Sequence, residues 1–385
     1  MTVLLWILAA LATPFVLFVA WLGWVFLKEF FSAKAAHESA EESSGIAAEA
    51  AEAAAAAERL GLLPLERQNT ELAAPLPAEW TAALAAVGRG EWEPAAEAMH
   101  GIGRDWERRS AFTTLLGDKA AEADEWLLSW EDARPDDPDA AVVRASSTVT
   151  LAWKLRGAKR AQHTTHEQFD GFRRTLESAP ADVARAAALN PDDPTPYVKE
   201  IWIALGLGRP NAEMDTLWAK LTERAPHHYE AHFSALQYWC AKWRGSERLA
   251  MSFAERAAAG APAGSLLTVL PLIAHLEHDE SDDTAAENTP EMIARVNTVL
   301  ADVAAADPSH PRLPEVRHLL AYFLRLQGRN KESLEQFRLV DGYVEALPWR
   351  YRVNPAAEYC AFRNATAKAA EEAAAEVSTE AAAGA

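Results

Sequence analysis

Residues 319–348 read LLAYFLRLQGRNKESLEQFRLVDGYVEALP, and this stretch decides the fold. Before Gly328, Leu319, Leu320, Phe323, Leu324 and Leu326 recur at helical spacing; after it, Leu334, Phe337 and Val340 do the same. Apolar residues three and four apart mark an amphipathic helix. The Gln327–Asn330 break is a short glycine-containing turn, the connection expected between two antiparallel helices. Pro348 closes the unit, because a proline just beyond a helix end cannot continue it.

The same punctuation recurs upstream. Pro191, Pro226 and Pro262 stand 35 and 36 residues apart, and Pro308 follows after 46, the excess matching an acidic insert, His278–Asn288. Short glycine turns fall at Gly88–Glu91, Gly206–Pro210 and Arg244–Glu247. Between the breaks, Met214, Leu217, Trp218 and Leu221 form one stripe; Phe233, Leu236, Cys240 and Trp243 form the next. No alternating β pattern of any length interrupts them. A two-helix unit is too small to bury its own stripe, so stacked neighbours must complete the core.

On these residues the chain resembles the tetratricopeptide-repeat superfamily, with Gly328 at the turn, Ser333 at the small-residue position and Phe337 at the aromatic one. Trp80–Met99 matches more loosely. Pro191–Gly264, with its ERAPHHYEAHFSALQYWCAKWRG core, also looks like an uncharacterised bacterial helical-repeat family that implies no known activity. The expected fold is all-α: an N-terminal transmembrane helix followed by an α-solenoid of stacked antiparallel helical hairpins. Pro135–Asn190 stands as a longer unit, with helices expected over Val142–Leu155 and Glu167–Leu189.

Composition agrees. Alanine supplies 82 of 385 residues, which favours helix because it has the best intrinsic propensity. The net charge of −19 argues against nucleic acid as a partner, since phosphate binding needs a concentrated basic surface. Two cysteines, Cys240 and Cys360, provide neither a disulfide framework nor a CxxC metal site.

Val3–Leu27 carries no charge over 25 residues. As a helix it is about 38 Å long, enough to cross a ~30 Å hydrocarbon core with tilt. No basic residue precedes it and it exceeds a signal-peptide core, so an uncleaved anchor is expected. Lys28 and Lys34 follow it, and the positive-inside rule then favours a cytoplasmic body. The reading divides the chain into anchor (1–28), acidic Ala-rich spacer and linker (29–78), tetratricopeptide-like solenoid (79–364) and an Ala/Glu-rich tail expected to be disordered (365–385).

Catalytic signatures are missing from the sequence: no phosphate-binding loop, no HExxH and no nucleophile elbow. Neither catalytic residues nor a cofactor are therefore expected, and no metal site is assigned. His228 and His232, four apart beside His227, are spaced to chelate zinc, and a metal-dependent enzyme built there is the alternative reading. A self-assembling structural role is another. The cluster His275, Glu277, His278, Asp279 and Glu280, running into Asp282 and Asp283, could bind a divalent cation weakly through carboxylates, but it lacks the glycine turn and odd-position spacing of a calcium loop and reads as a solvated acidic insert. Two groups are candidates for a partner surface: Trp239, Lys242, Trp243 and Arg244, where aromatic and basic residues alternate, and the basic run Lys154, Arg156, Lys159 and Arg160. The expected function is a membrane-anchored, non-enzymatic scaffold that binds a protein partner. Deleting residues 1–28 should move the chain from the membrane pellet to the supernatant. A truncated chain that still sediments with membranes in high salt would argue against the anchor.

Overall fold

The computed structural model describes residues 45–157, 165–279 and 284–383. Regular structure among them is α-helical, apart from short 3-10 turns and one bridge between Asn69 and Tyr343, so the all-α class holds. The span at 3–27 lies outside the described residues. Among those described, no helix is long and apolar enough to cross a membrane.

The described residues form two compact units, residues 65–359 and residues 45–64 with 360–383. The described helices are α1 (residues 45–59), α2 (Ala78–Val87), α3 (Glu93–Ile102), α4 (Trp106–Ala120), α5 (Glu125–Ala133), α6 (Pro138–Arg156), α7 (His166–Leu189) and α8 (Thr195–Leu207). They continue with α9 (Asn211–Arg224), α10 (Tyr229–Trp239), α11 (Glu247–Ala259), α12 (Leu270–Leu276), α13 (Pro290–Ala305), α14 (Leu313–Leu326), α15 (Asn330–Val340) and α16 (Pro355–Ala383).

The sequence punctuation falls where these helices end. Pro191, Pro226, Pro262 and Pro308 each lie between helices. Asp105, Ser246 and Thr289 cap helix starts by accepting main-chain N–H bonds, and Thr165 does so in a capping box with Gln168. Gly208 and Gly328 turn the chain with φ of 65° and 71°, a region that penalises any side chain. In the deciding stretch, Phe337 is fully buried, and the buried Ser333 hydroxyl donates to the Ala321 carbonyl at 2.7 Å. The small residue there brings α15 close against α14.

The core of the larger unit is divided between two apolar clusters. One gathers α2–α7 around Phe112, Leu116, Trp130 and Leu176; the other gathers α8–α14 around Leu221, Leu236, Leu270 and Phe323. Helix α8 serves both, giving Ile203 to the first and Val198 and Ile201 to the second. Trp153 joins them, edge-on to Phe172 (5.0 Å), Trp202 (5.8 Å) and Trp243 (5.6 Å). Offset edge-to-face packing at these separations adds to the area that the rings bury.

Charge is locked in beside the first cluster. Arg109, 3% exposed, bonds Asp193 at 2.6 Å and also Asp139; Asp193 is 1% exposed and accepts from the Thr195 N–H at the start of α8. This ties α4 to residues 84 positions away.

The two alanine-rich tracts form the smaller unit. The tract 365–385, expected as a disordered tail, is helical through Ala383 as part of α16. Ala53, Ala56 and Ala57 of α1 are buried, as is Ala367. Arg59 bonds Glu371 at 2.6 Å, and Lys368 bonds Glu52 at 2.9 Å. Alanine needs little side-chain area to let two helix backbones meet, which is why a tract with no large apolar residues still finds a partner.

Replacing Arg109 with Ala should cost about 3–5 kcal/mol in chemical denaturation, because it strands Asp193 as an uncompensated buried charge. Arg89→Ala, at an exposed pair with Glu91, should change stability little.

Candidate binding groove

The segment before α2 is extended, and its main chain is pinned to the stretch after α15. Asn69 N–H donates to the Gly342 carbonyl (2.8 Å), Val344 N–H to Asn69 (2.9 Å) and Glu345 N–H to Leu72 (3.1 Å). Beyond these bonds the chain crosses as Leu72-Ala-Ala-Pro75-Leu-Pro77 and enters α2. Facing it is a second proline-rich stretch, Pro308–Pro314, which leads into the first turn of α14. Between them and α4 lies a groove of about 450 Å³. Five prolines stand on its rim, Pro75, Pro77, Pro308, Pro311 and Pro314. Proline fixes its own φ and offers no N–H, so these walls are stiff and poor in donors.

A second groove, about 620 Å³, runs between α2 and α3. Trp80 and Arg108 line both grooves. The Arg108 guanidinium lies over the Trp80 ring at 5.5 Å and bonds Glu79 at 3.1 Å, and Trp80 stacks on Phe112 at 4.9 Å. Tryptophan and arginine are each enriched among the residues that dominate binding at protein interfaces.

Charge collects behind the first groove. Lys199 is 8% exposed, and its ammonium donates to the Thr114 hydroxyl, which lines the groove, at 3.0 Å. Burial pushes the Lys199 pKa down, while Glu230 and Asp118 pull it back. Arg312 bonds Glu230 at 2.6 Å and also Glu315, and Arg350 reaches Glu315 at 2.8 Å. Burial alone would raise the Glu315 carboxyl, but Arg312 and Arg350 hold it below the ordinary range. These charges fix the side chains that shape the groove floor.

The residues singled out from the sequence lie elsewhere. Trp239 and Trp243 are half-buried and pack on the second core cluster. Lys242 bonds Glu277 at 2.6 Å and lies over the Tyr351 ring at 5.4 Å. Arg244 is exposed beside the Tyr238 hydroxyl. Lys154 pairs with Glu122 at 3.1 Å. The structure brings the two candidate groups together at one point: Arg156 lies over the rings of both Trp153 (5.7 Å) and Trp243 (5.4 Å). Lys159 and Arg160 fall outside the described residues. None of the eleven tryptophans beyond Trp24 is exposed. Trp80 was legible only as one more stripe residue, and the dense prolines of 308–314 only as a boundary. Nothing local marks either as a groove wall.

His227, His228 and His232 do not converge as a ligand set. His227 is exposed. The His228 Nε2–H donates to the Trp106 carbonyl (3.0 Å), and its Nδ1 accepts from Ala231 N–H (3.3 Å), so both nitrogens are engaged. His232 Nδ1–H donates to the His228 carbonyl at 2.9 Å, and its ring stands edge-on to Trp218 at 4.8 Å. These imidazoles join α10 to α4 and to α9. Neither cysteine is in a disulfide, and burial pushes the Cys240 thiol up to about 12.

Burial lowers the His232 pKa to about 4, whereas an unfolded histidine titrates near ~6.5. The folded state therefore binds fewer protons between these values, and stability should fall as pH drops from about 6.5 towards about 4. His232→Phe should flatten that slope in urea titrations at several pH values. An unchanged slope would show that His232 is not buried neutral. Comparison with known protein-family models and with curated proteins yields no match to this chain.

Proposed function

We propose that the chain is a membrane-anchored, non-enzymatic protein-interaction scaffold, in which a tetratricopeptide-like array of helical hairpins is carried on an anchor at residues 3–27. The paired grooves that meet at Trp80 and Arg108 are the observation that carries this reading. Their stiff proline rim, packed tryptophan and stacked arginine suit an extended protein segment, which binds with less entropy loss on a preformed surface. Successive helices separated by Gly208 and Gly328 turns support the hairpin array, since such arrays present long grooves for peptides. The uncharged run 3–27 supports the anchor, which would confine the groove to the membrane and raise its effective concentration there. Lys28 and Lys34 favour a cytoplasmic groove.

Crosslinking in intact cells, followed by purification in mild detergent, tests the reading. Arg108→Glu, a charge reversal at a partly exposed position, should reduce capture of the principal partner at least about tenfold, or about 1.4 kcal/mol. Capture that Arg108→Glu leaves intact, or no captured protein at all, would count against it.

A further inference from the structure

The turn between α12 and α13 holds a carboxylate oxygen with no partner. Glu287 is 4% exposed, and its Oε2 is buried without a hydrogen bond. Few atoms are costlier for a fold to carry than an ionised oxygen out of water with no donor. Its sister atom, Oε1, lies 2.9 Å from His275 Nε2, and Asp279 Oδ2 stands 3.5 Å from the same nitrogen. The three ligand-type atoms lie within 4.8 Å of one another, the one such trio among the described residues.

This arrangement is held from outside. Gln327 Nε2 donates to the Glu287 carbonyl at 3.0 Å, and Asn288 Nδ2 donates to the Leu326 carbonyl at 3.1 Å, so the turn is tied to the end of α14. The Phe323 ring flanks His275 at 6.0 Å. These bonds hold the Glu287 main chain in place beside His275. A hydrogen on His275 Nε2 would satisfy Oε1 but leaves Oε2 without a donor.

We propose that His275, Asp279 and Glu287 bind a divalent metal ion of the zinc class. One imidazole nitrogen and two carboxylate oxygens are ligands that zinc accepts at about 2.0–2.2 Å. Four-coordinate geometry then spaces ligand atoms roughly 3.3 Å apart, close to the 2.9 and 3.5 Å separations here. Held by Oε1, Asp279 Oδ2 and His275 Nε2, the ion places positive charge on the carboxylate whose Oε2 has no donor, and it takes the Nε2 lone pair, so the ring hydrogen sits on Nδ1. Three protein ligands leave a fourth position for water or a donor on a bound molecule. The residues that read in sequence as a solvated acidic insert become a clip between α12 and the start of α13. This site is independent of the groove and of its partner.

The full-length chain in mild detergent, stripped by chelator and titrated with zinc chloride in a calorimeter, tests the proposal. One saturable equivalent is expected, with a melting temperature that rises with free zinc. Asp279→Asn, an isosteric change at a part-exposed position, and His275→Gln should each weaken binding at least about tenfold. His227→Ala, at an exposed imidazole, should leave it unchanged. Cobalt in place of zinc gives a second readout, because its absorption bands shift when the imidazole leaves the ion. No saturable equivalent, or titrations and cobalt bands that His275→Gln and Asp279→Asn leave unaltered, would overturn the proposal.

Discussion

Among the described helices of the larger unit, no pair buries its apolar stripe by itself, and the unit's architecture follows from that shortage. Helix α8 shows the consequence most plainly. It has no side given over to solvent alone: Ile203 completes one core cluster while Val198 and Ile201 complete the other. Trp153 and Trp202 touch both. A residue that serves two clusters couples them, so neither half of the larger unit has a finished core without α8. Burial of apolar area is the main favourable term, and here it is earned jointly.

Polar groups are then placed under the same constraint. Arg109 with Asp193, and Arg312 with Glu230 and Glu315, sit where helices distant in sequence meet. Such pairs gain little net stability against an apolar alternative, but losing one member is costly. They act as registration pins: α4 is fixed against the start of α8, and α14 against α10. His228 and His232 belong to the same class, spending their nitrogens on main-chain carbonyls. The groove beside Arg108 and Trp80 is what remains between elements whose positions are fixed in this way.

Helix placement was legible because its causes are local. Periodicity around Leu319 and Leu334, glycine at 208 and 328, and prolines at 191, 226, 262 and 308 each act within a few residues. The tail's pairing was not legible, because alanine and glutamate look like a solvated spacer when no partner is visible. Its partner lies in residues 45–59, where Glu52 meets Lys368. The sequence near 240 shows Trp239, Lys242, Trp243 and Arg244 together, but not that Trp243 packs on Trp153 or that Lys242 pairs with Glu277.

The sequence by itself determined that the described chain is helical, where glycine turns and prolines end several of the larger unit's helices, and which faces of those helices are apolar. Those properties depend on propensity, capping and period, all short-range. Only the tertiary structure decided what meets across 84 residues at Arg109 and Asp193, and which charged residues go inside. It alone decided that Trp80 and Arg108 line two grooves, and that Glu287 is held against His275. Such meetings depend on how helices stack, and stacking is set by the summed fit of many side chains rather than by any one stretch.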